Sequence, residues 1–312
     1  MNSRQKVAVI GAGFLGQALI KNLLESGCEV NVLDRHPLSN ALCTGAKWFV
    51  GDFRDQSLLM STLDKVSVAY HLVASTVPGD QQVDSAKELN EDVVGTIKFI
   101  DACVASNVQR IIFSSSSSVY GMQDELPIKE SASTNPISTH GIHKLTIEKF
   151  LLLACHLHGI DVRILRISNP YGPGQSLAGR QGFVAIAIGK IISGSSLILR
   201  DEGRAIRDFI FIDDLTRVLA LAGLRDNVPS IMNVGSGKGH SLIEVVQLME
   251  ELLGYTTKIV NTESRRIDIP ASVLDTTLAE RALDLQPAAE LRAGILKTLR
   301  FHGVKNQLGQ SV

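Results

Sequence analysis

The sequence offers little cysteine chemistry: Cys28, Cys43, Cys103 and Cys155 are its only four cysteines, widely spaced and without a CxxC pair. That excludes a disulfide frame and predicts reduced thiols. An excess of either charge is also lacking, since 31 Lys and Arg stand against 32 Asp and Glu. Neither nucleic acid nor an anionic membrane is therefore expected as the main partner. No apolar run approaches the length of a bilayer span. The basic start (Arg4, Lys6) leads into Val7–Ile10, too short for the core of a signal peptide, and then into a glycine turn. A cytoplasmic protein is expected. Internal repeats are missing, and the only low-complexity stretch is Ser114–Ser118. The pairs His140/His143 and His156/His158 lack a plausible third ligand, so no metal is expected.

What is present is an ordinary globular composition, 45% hydrophobic and 20% charged over 312 residues. It suits one large α/β unit with a smaller appended portion. Short β-branched runs alternate with helix-period segments, the pattern of βαβ units around a parallel sheet. Strands are expected at Val7–Ile10, Glu29–Leu33, Lys47–Val50, Ser67–Leu72, Gln109–Phe113 and Asp161–Arg166. Leu15–Ser26, Ala86–Ser106 and His143–His158 have the length and spacing of helices. The regular alternation fails at Asn169–Gly174, a Pro/Gly cluster. The expected fold is thus a doubly wound Rossmann sheet over residues 1–168 with a smaller, discontinuous α/β portion over 169–207 and 236–312. Strands near Asp208–Ile212 and Ile231–Val234 are expected to return to the main sheet, carrying 208–235 with them.

The turn Gly11-Ala12-Gly13-Phe14-Leu15-Gly16 follows the first strand and opens the first helix. In that context Gly11 makes the tight turn, Gly13 lets backbone approach a pyrophosphate and Gly16 packs helix on strand, while the helix N-terminus faces the anion. Asp34 closes the second strand where a carboxylate accepts bonds from the adenosine ribose, which favours NAD. Arg35 beside it could instead meet a 2′-phosphate. Asp52, in Gly51-Asp52-Phe53, is placed to meet the adenine amino group or to be a solvated turn.

Several motifs in order make the chain resemble an extended short-chain dehydrogenase/reductase of the NAD-dependent epimerase/dehydratase type, close to the UDP-galactose 4-epimerase group. They are the glycine turn, Gly51-Asp52, His71–Ala74, Phe113–Gly121, Arg166–Gly174, Arg207–Ile210 and Asn233–Gly237. The resemblance implies that Phe14, Leu15, Phe53, Leu72, Val73, Ala74 and Ser114 join the cofactor site. It further implies Ser116 as the catalytic hydroxyl, with Ser118 its competitor, and Lys144 as the lysine that holds the nicotinamide ribose. On the substrate side it implies Thr76, Asn169, Phe183, Arg207 and Arg266, the arginines meeting a diphosphate bidentately. A UDP-sugar and a homodimer through the helices Ala86–Ser106 and His143–His158 are what such a protein would bind and form.

One departure governs the functional reading. The family's tyrosine, four residues before the lysine, is here His140. A phenol ionises beside a lysine and takes a proton as hydride leaves the sugar. An imidazole is neutral or cationic, never anionic. His140 therefore stands either as a general base, as support for a different step, or as the mark of a catalytically silent binding protein. A dehydratase is further disfavoured because Ser116–Tyr120 has no Asp-Glu pair.

Overall fold

The computed structural model describes residues 4–36, 43–75 and 84–310. In chain order the elements are β1 (Lys6–Ile10), α1 (Phe14–Glu25), β2 (Glu29–Asp34), β3 (Lys47–Val50), α2 (Gln56–Thr62), β4 (Val68–His71), α3 (Ser85–Leu89), α4 (Gly95–Ala105), β5 (Arg110–Ser116), α5 (Thr139–His158), β6 (Asp161–Ile167) and β7 (Asn169–Tyr171). They continue with α6 (Phe183–Ile192), β8 (Leu197–Arg200), β9 (Ile206–Phe211), α7 (Ile212–Leu224), β10 (Ile231–Val234), β11 (Gly239–Ser241), α8 (Leu242–Leu253), β12 (Ile259–Thr262), β13 (Ala271–Ser272), α9 (Thr277–Leu283) and α10 (Leu291–Phe301).

Seven strands form one parallel sheet in the order β10-β6-β5-β4-β1-β2-β3. Runs such as Val7–Ile10 and Ile111–Phe113 are buried throughout, as they must be when helices cover both faces. One face packs Leu19, Ile20 and Leu23 of α1 with Leu215 and Leu219 of α7. The other packs Phe99 and Cys103 of α4 with Ile147 and Leu151 of α5. The strand order reverses between β1 and β4, and the crevice at their carboxyl ends is where such sheets bind ligands.

Two expectations are corrected. The strand foreseen at Asp208–Ile212 forms as β9 but does not join the main sheet. It pairs with β7, β11 and β13 in a second sheet, and Tyr171, Phe209 and Phe211 build a separate core with α8 and α10. Only β10 returns, parallel to β6. The helix foreseen over Ala86–Ser106 is interrupted at Asn90–Val94 by a π-helical turn between α3 and α4. Asn90–Val94 holds no Gly or Pro to mark an interruption in the sequence.

Candidate active site

The glycine turn sits at the reversal. Gly11 has φ +98, and a Cβ there would press on Val73 Cγ2 at 2.9 Å and Val73 N at 3.1 Å. Gly16 packs so closely that a Cβ would run into the Gly11 carbonyl. These two are glycines because the protein itself leaves no room. Gly13 is different: a Cβ there would meet no atom within 4 Å, and its φ of −68 is open to any residue. It caps α1 without a side-chain hydrogen bond, and the first turn holds no acidic residue. The N–H groups of Phe14 and Leu15 thus begin a helix with its positive end uncompensated, a cradle for a pyrophosphate. Asp34 braces the turn, accepting the Ala12 N–H at 2.7 Å and the His36 N–H at 2.9 Å. A carboxylate has further acceptor capacity for ribose hydroxyls. Arg35 is exposed beside it.

Asp52 carries a second job that its sequence position did not announce. Arg54 grips it with Nε at 2.9 Å and Nη2 at 2.7 Å, and that pairing holds its carboxyl down at about 2. Phe53 meets the His71 ring edge-on at 5.6 Å. Leu72 N donates to Ile10 O at 2.9 Å, so Leu72, Val73 and the exposed Ala74 lie directly over the glycine turn. These groups fit a dinucleotide along the carboxyl ends of β1, β2 and β4.

The reactive cluster lies one strand further on. Ser116 ends β5, with its Oγ 2.6 Å from Ser118 Oγ. Helix α5 starts with Ser138 as cap, and Gly141 brings its first turn against the serine turn: a Cβ there would stand 2.5 Å from Ser118 O. His140, next to Gly141 in that first turn, is buried. One turn later Lys144 is buried, donates to Ser114 O at 2.7 Å and lies over the Phe113 ring. Burial lowers its pKa to about 8, against the opposing pull of Asp92 and Glu148. Ser114 Oγ in turn donates to His71 O at 3.2 Å.

A buried polar layer supports this cluster from below. Glu148 accepts from Arg166 Nε at 3.1 Å and Nη2 at 2.7 Å, and from Ser115 Oγ. Arg166 also reaches Tyr120 OH, which donates to Asn233 Oδ1 at 2.6 Å. This ties α5, β6 and β10 together. Glu148→Ala leaves the Arg166 charge buried and unpaired, and is expected to destabilise the fold by about 3–5 kcal/mol, read as a lowered urea midpoint. An unchanged midpoint would mean the pair is not the brace described.

On the opposite wall, Asn169 of β7 donates to Asp208 O at 2.9 Å, and Phe183 begins α6 against Phe209 with ring centroids 6.4 Å apart. Among the described residues, Arg207 of β9 donates to Ile206 O at 2.8 Å. The competing carboxylate of Asp208 is occupied by the N–H groups of Ser236, Gly237 and Leu274. Arg207 keeps its guanidinium available. Asp268 holds Arg265 at 2.6 Å, whereas Arg266 is exposed. Thr76 lies outside the described residues.

Three groups in the cluster escaped the sequence reading: Asp92, Thr96 and the inward orientation of His143. A signal existed. Asp92, Thr96, Phe99 and Cys103 follow helical spacing and are all buried, so a carboxylate occupies the core stripe, where charge is costly unless it has a task. Among the described residues no helix is long and apolar enough to cross a membrane.

A parallel sheet with a glycine cradle at its reversal and a buried lysine one strand away defines a dinucleotide-dependent enzyme. The chain belongs to the NAD dependent epimerase/dehydratase family, whose model matches residues 7–235, and NAD is its cofactor. It is 30% identical over 305 residues to the UDP-glucose 4-epimerase of Mycolicibacterium smegmatis, covering 95% of this chain and 97% of that one. Its fold is similar to the UDP-glucose 4-epimerase of Thermotoga maritima solved with UDP-glucose, at TM-score 0.88, 26% identity and coverage of 96% and 98%. The UDP-glucose 4-epimerase of Thermus thermophilus, solved with NAD, gives TM-score 0.87 at 26% identity, covering 96% and 99%.

Proposed function

We propose that the protein is a nucleotide-sugar C4-epimerase acting on a UDP-sugar, with His140 as its base. The observation that carries this reading is the seat of His140: a buried imidazole on the first turn of α5, next to the Gly141 that meets Ser118 O and one helical turn from Lys144. NAD, held by the Gly11–Gly16 turn, Asp34 and Lys144, would supply reversible hydride transfer at C4. The chain's own groups handle the proton. His140 takes it from the C4 hydroxyl as the carbon is oxidised and gives it back on reduction, since an imidazole nitrogen can accept and return a proton. Ser116 hydrogen-bonds the same oxygen, and Lys144 holds the nicotinamide ribose. Arg207 binds the diphosphate, with Arg266 or its neighbour Arg265 as the second cation. Asn169 and Phe183 line the sugar and nucleotide side.

Incubating the protein and NAD with UDP-, dTDP- and GDP-sugars tests this. The expected product is the C4 epimer of a UDP-sugar; intact binding with no turnover of any sugar would overturn it in favour of a silent binding protein.

The Lys144 role has a pH consequence. A buried ammonium that loses its proton near pH 8 binds the ribose below that pH and loses its charge above it. NAD affinity measured by calorimetry should fall as pH rises through about 8; a flat profile there would remove Lys144 from the cofactor site.

We also read α5 as a homodimer face. Ile142, Phe150, Leu153 and Leu157 form an exposed apolar stripe along it, and such a face is usually covered by another copy. Leu153→Glu is expected to convert a dimer into a monomer in light-scattering measurements. A wild-type monomer contradicts the assignment.

A further inference from the structure

Asp92 is a carboxylate that neither the glycine cradle nor the serine–histidine–lysine cluster requires, yet it lies at their junction. It stands in the π-helical turn Asn90–Val94 and is 6% exposed. Its Oδ1 accepts the Ser75 N–H at 2.7 Å, which ties the turn to the segment after β4. Its Oδ2 lies 3.8 Å from His143 Nδ1, and that imidazole is 3% exposed. His143 Nδ1 has no hydrogen bond. The backbone oxygen of Asp92 accepts the Thr96 hydroxyl at 2.5 Å, and Thr96 Oγ1 is 3.1 Å from His71 Nε2. Because the Thr96 proton goes to Asp92, His71 must supply the proton of the second bond. Side chain and backbone of one residue thus contact all three elements around the site.

The surrounding charges are few. From α5 come His140, His143, Lys144 and Glu148, and Glu148 is committed to the bidentate Arg166 of β6. From β4 comes His71, whose pKa burial drives down to about 3, so it stays neutral. From α4 comes the buried thiol of Cys103, which burial keeps protonated. Asp92 acts on Lys144, His143 and His71 alike, in each case favouring the cation. It is the first of the carboxylates acting on Lys144.

This matters because an imidazole base alters the charge balance of the reaction. A phenolate that takes a proton becomes neutral. A neutral imidazole that takes one becomes a cation next to the ammonium of Lys144, and like charges disfavour that product. A buried carboxylate offsets the penalty.

We propose that Asp92, paired with His143, is the positioning and charge-balancing carboxylate of this site: it holds Lys144 as the ammonium and stabilises His140 when it carries the sugar proton. The role rests on the reading of His140 as base. It also gives the π-helical turn a purpose, since such turns re-aim a side chain within an otherwise regular helix.

Asp92→Asn is the direct test, because the amide oxygen still accepts from Ser75 while the charge is gone. Two readouts separate this role from the proposed function. Without any sugar or cofactor, 15N-detected titration of the imidazoles should show the His143 midpoint lowered by about 1 unit in the variant, and that of His140 lowered in the same direction. Superimposable titrations in wild type and variant would overturn the inference. With a substrate that wild type turns over, both limbs of the kcat–pH profile should move to lower pH and the plateau should fall about tenfold with KM unchanged. A raised KM with unmoved limbs would reduce Asp92 to a structural bond for Ser75 and overturn the role. Shifted imidazoles in a protein that turns over no sugar support the charge pairing and remove the epimerase. His143→Gln provides an independent check: the Asp92→Asn loss measured in its background should be smaller than in wild type, and an equal loss overturns the pairing.

Discussion

Gly13→Ala is expected to abolish useful NAD binding while leaving the fold intact. Each half of that expectation has its own cause. A methyl at residue 13 meets no protein atom within 4 Å, and the φ of −68 suits alanine. The remaining cost is that of a helix cap changed from Gly to Ala, about 1 kcal/mol or less. The same methyl projects where backbone must approach the pyrophosphate at the start of α1. A loss of about two orders of magnitude in affinity, ~2.7 kcal/mol, is expected. Calorimetric titration with NAD and a thermal melt of the apo protein measure the two effects separately. Gly16→Ala should behave in the opposite way, failing first in the melt because its methyl strikes the Gly11 carbonyl. If Gly13→Ala binds NAD like wild type, the cofactor does not lie over this turn.

The second large effect concerns His140. Truncation to alanine removes the proposed base and should lower kcat by about 10²–10⁴-fold with NAD affinity unchanged. Replacement by tyrosine, which restores the family's usual residue, is expected to lower kcat too, by about tenfold or more. The reason is Asp92. A tyrosine works as a phenolate, and a buried carboxylate nearby raises the phenol pKa where a neutral amide would not. On the proposed role of Asp92, the surroundings of His140 suit a group that becomes positive. A tyrosine variant faster than wild type would show instead that histidine impairs an otherwise ordinary site. Steady-state kinetics of both variants decide it.

Much of the fold was readable because its signals are local. β1, the glycine turn, α1 and β2 follow from an apolar run, a turn that only glycine fits and a helical period, each confined to a short stretch. The second sheet was not readable for the converse reason. β7, β11 and β13 span three, three and two residues, too short for a period, and what recruits β9 to them is pairing between residues far apart in the chain. The aromatic run of β9 signals a strand without saying which partner it takes.

The site divides along the same line. The motif positions of Ser116, His140 and Lys144 give candidates, and the Gly141 contact brings the helix start to the serine turn. Asp92 shares the helical stripe of Thr96, Phe99 and Cys103, so its burial was legible but its partners were not. Only the π-helical turn and the approach of α5 put its carboxylate beside His143 and within reach of Lys144. For Asp52 the motif marks the position, whereas the grip of Arg54 on its carboxylate comes from the structure.

The central claim is hydride removal and return at one carbon, with His140 carrying the proton. UDP-hexoses deuterated at C4, incubated with the protein and NAD and analysed by NMR, test it most directly. The account predicts the C4 epimer with deuterium retained at C4 and a rate that collapses in His140→Ala. Loss of the label to solvent, or undiminished turnover in His140→Ala, would contradict it.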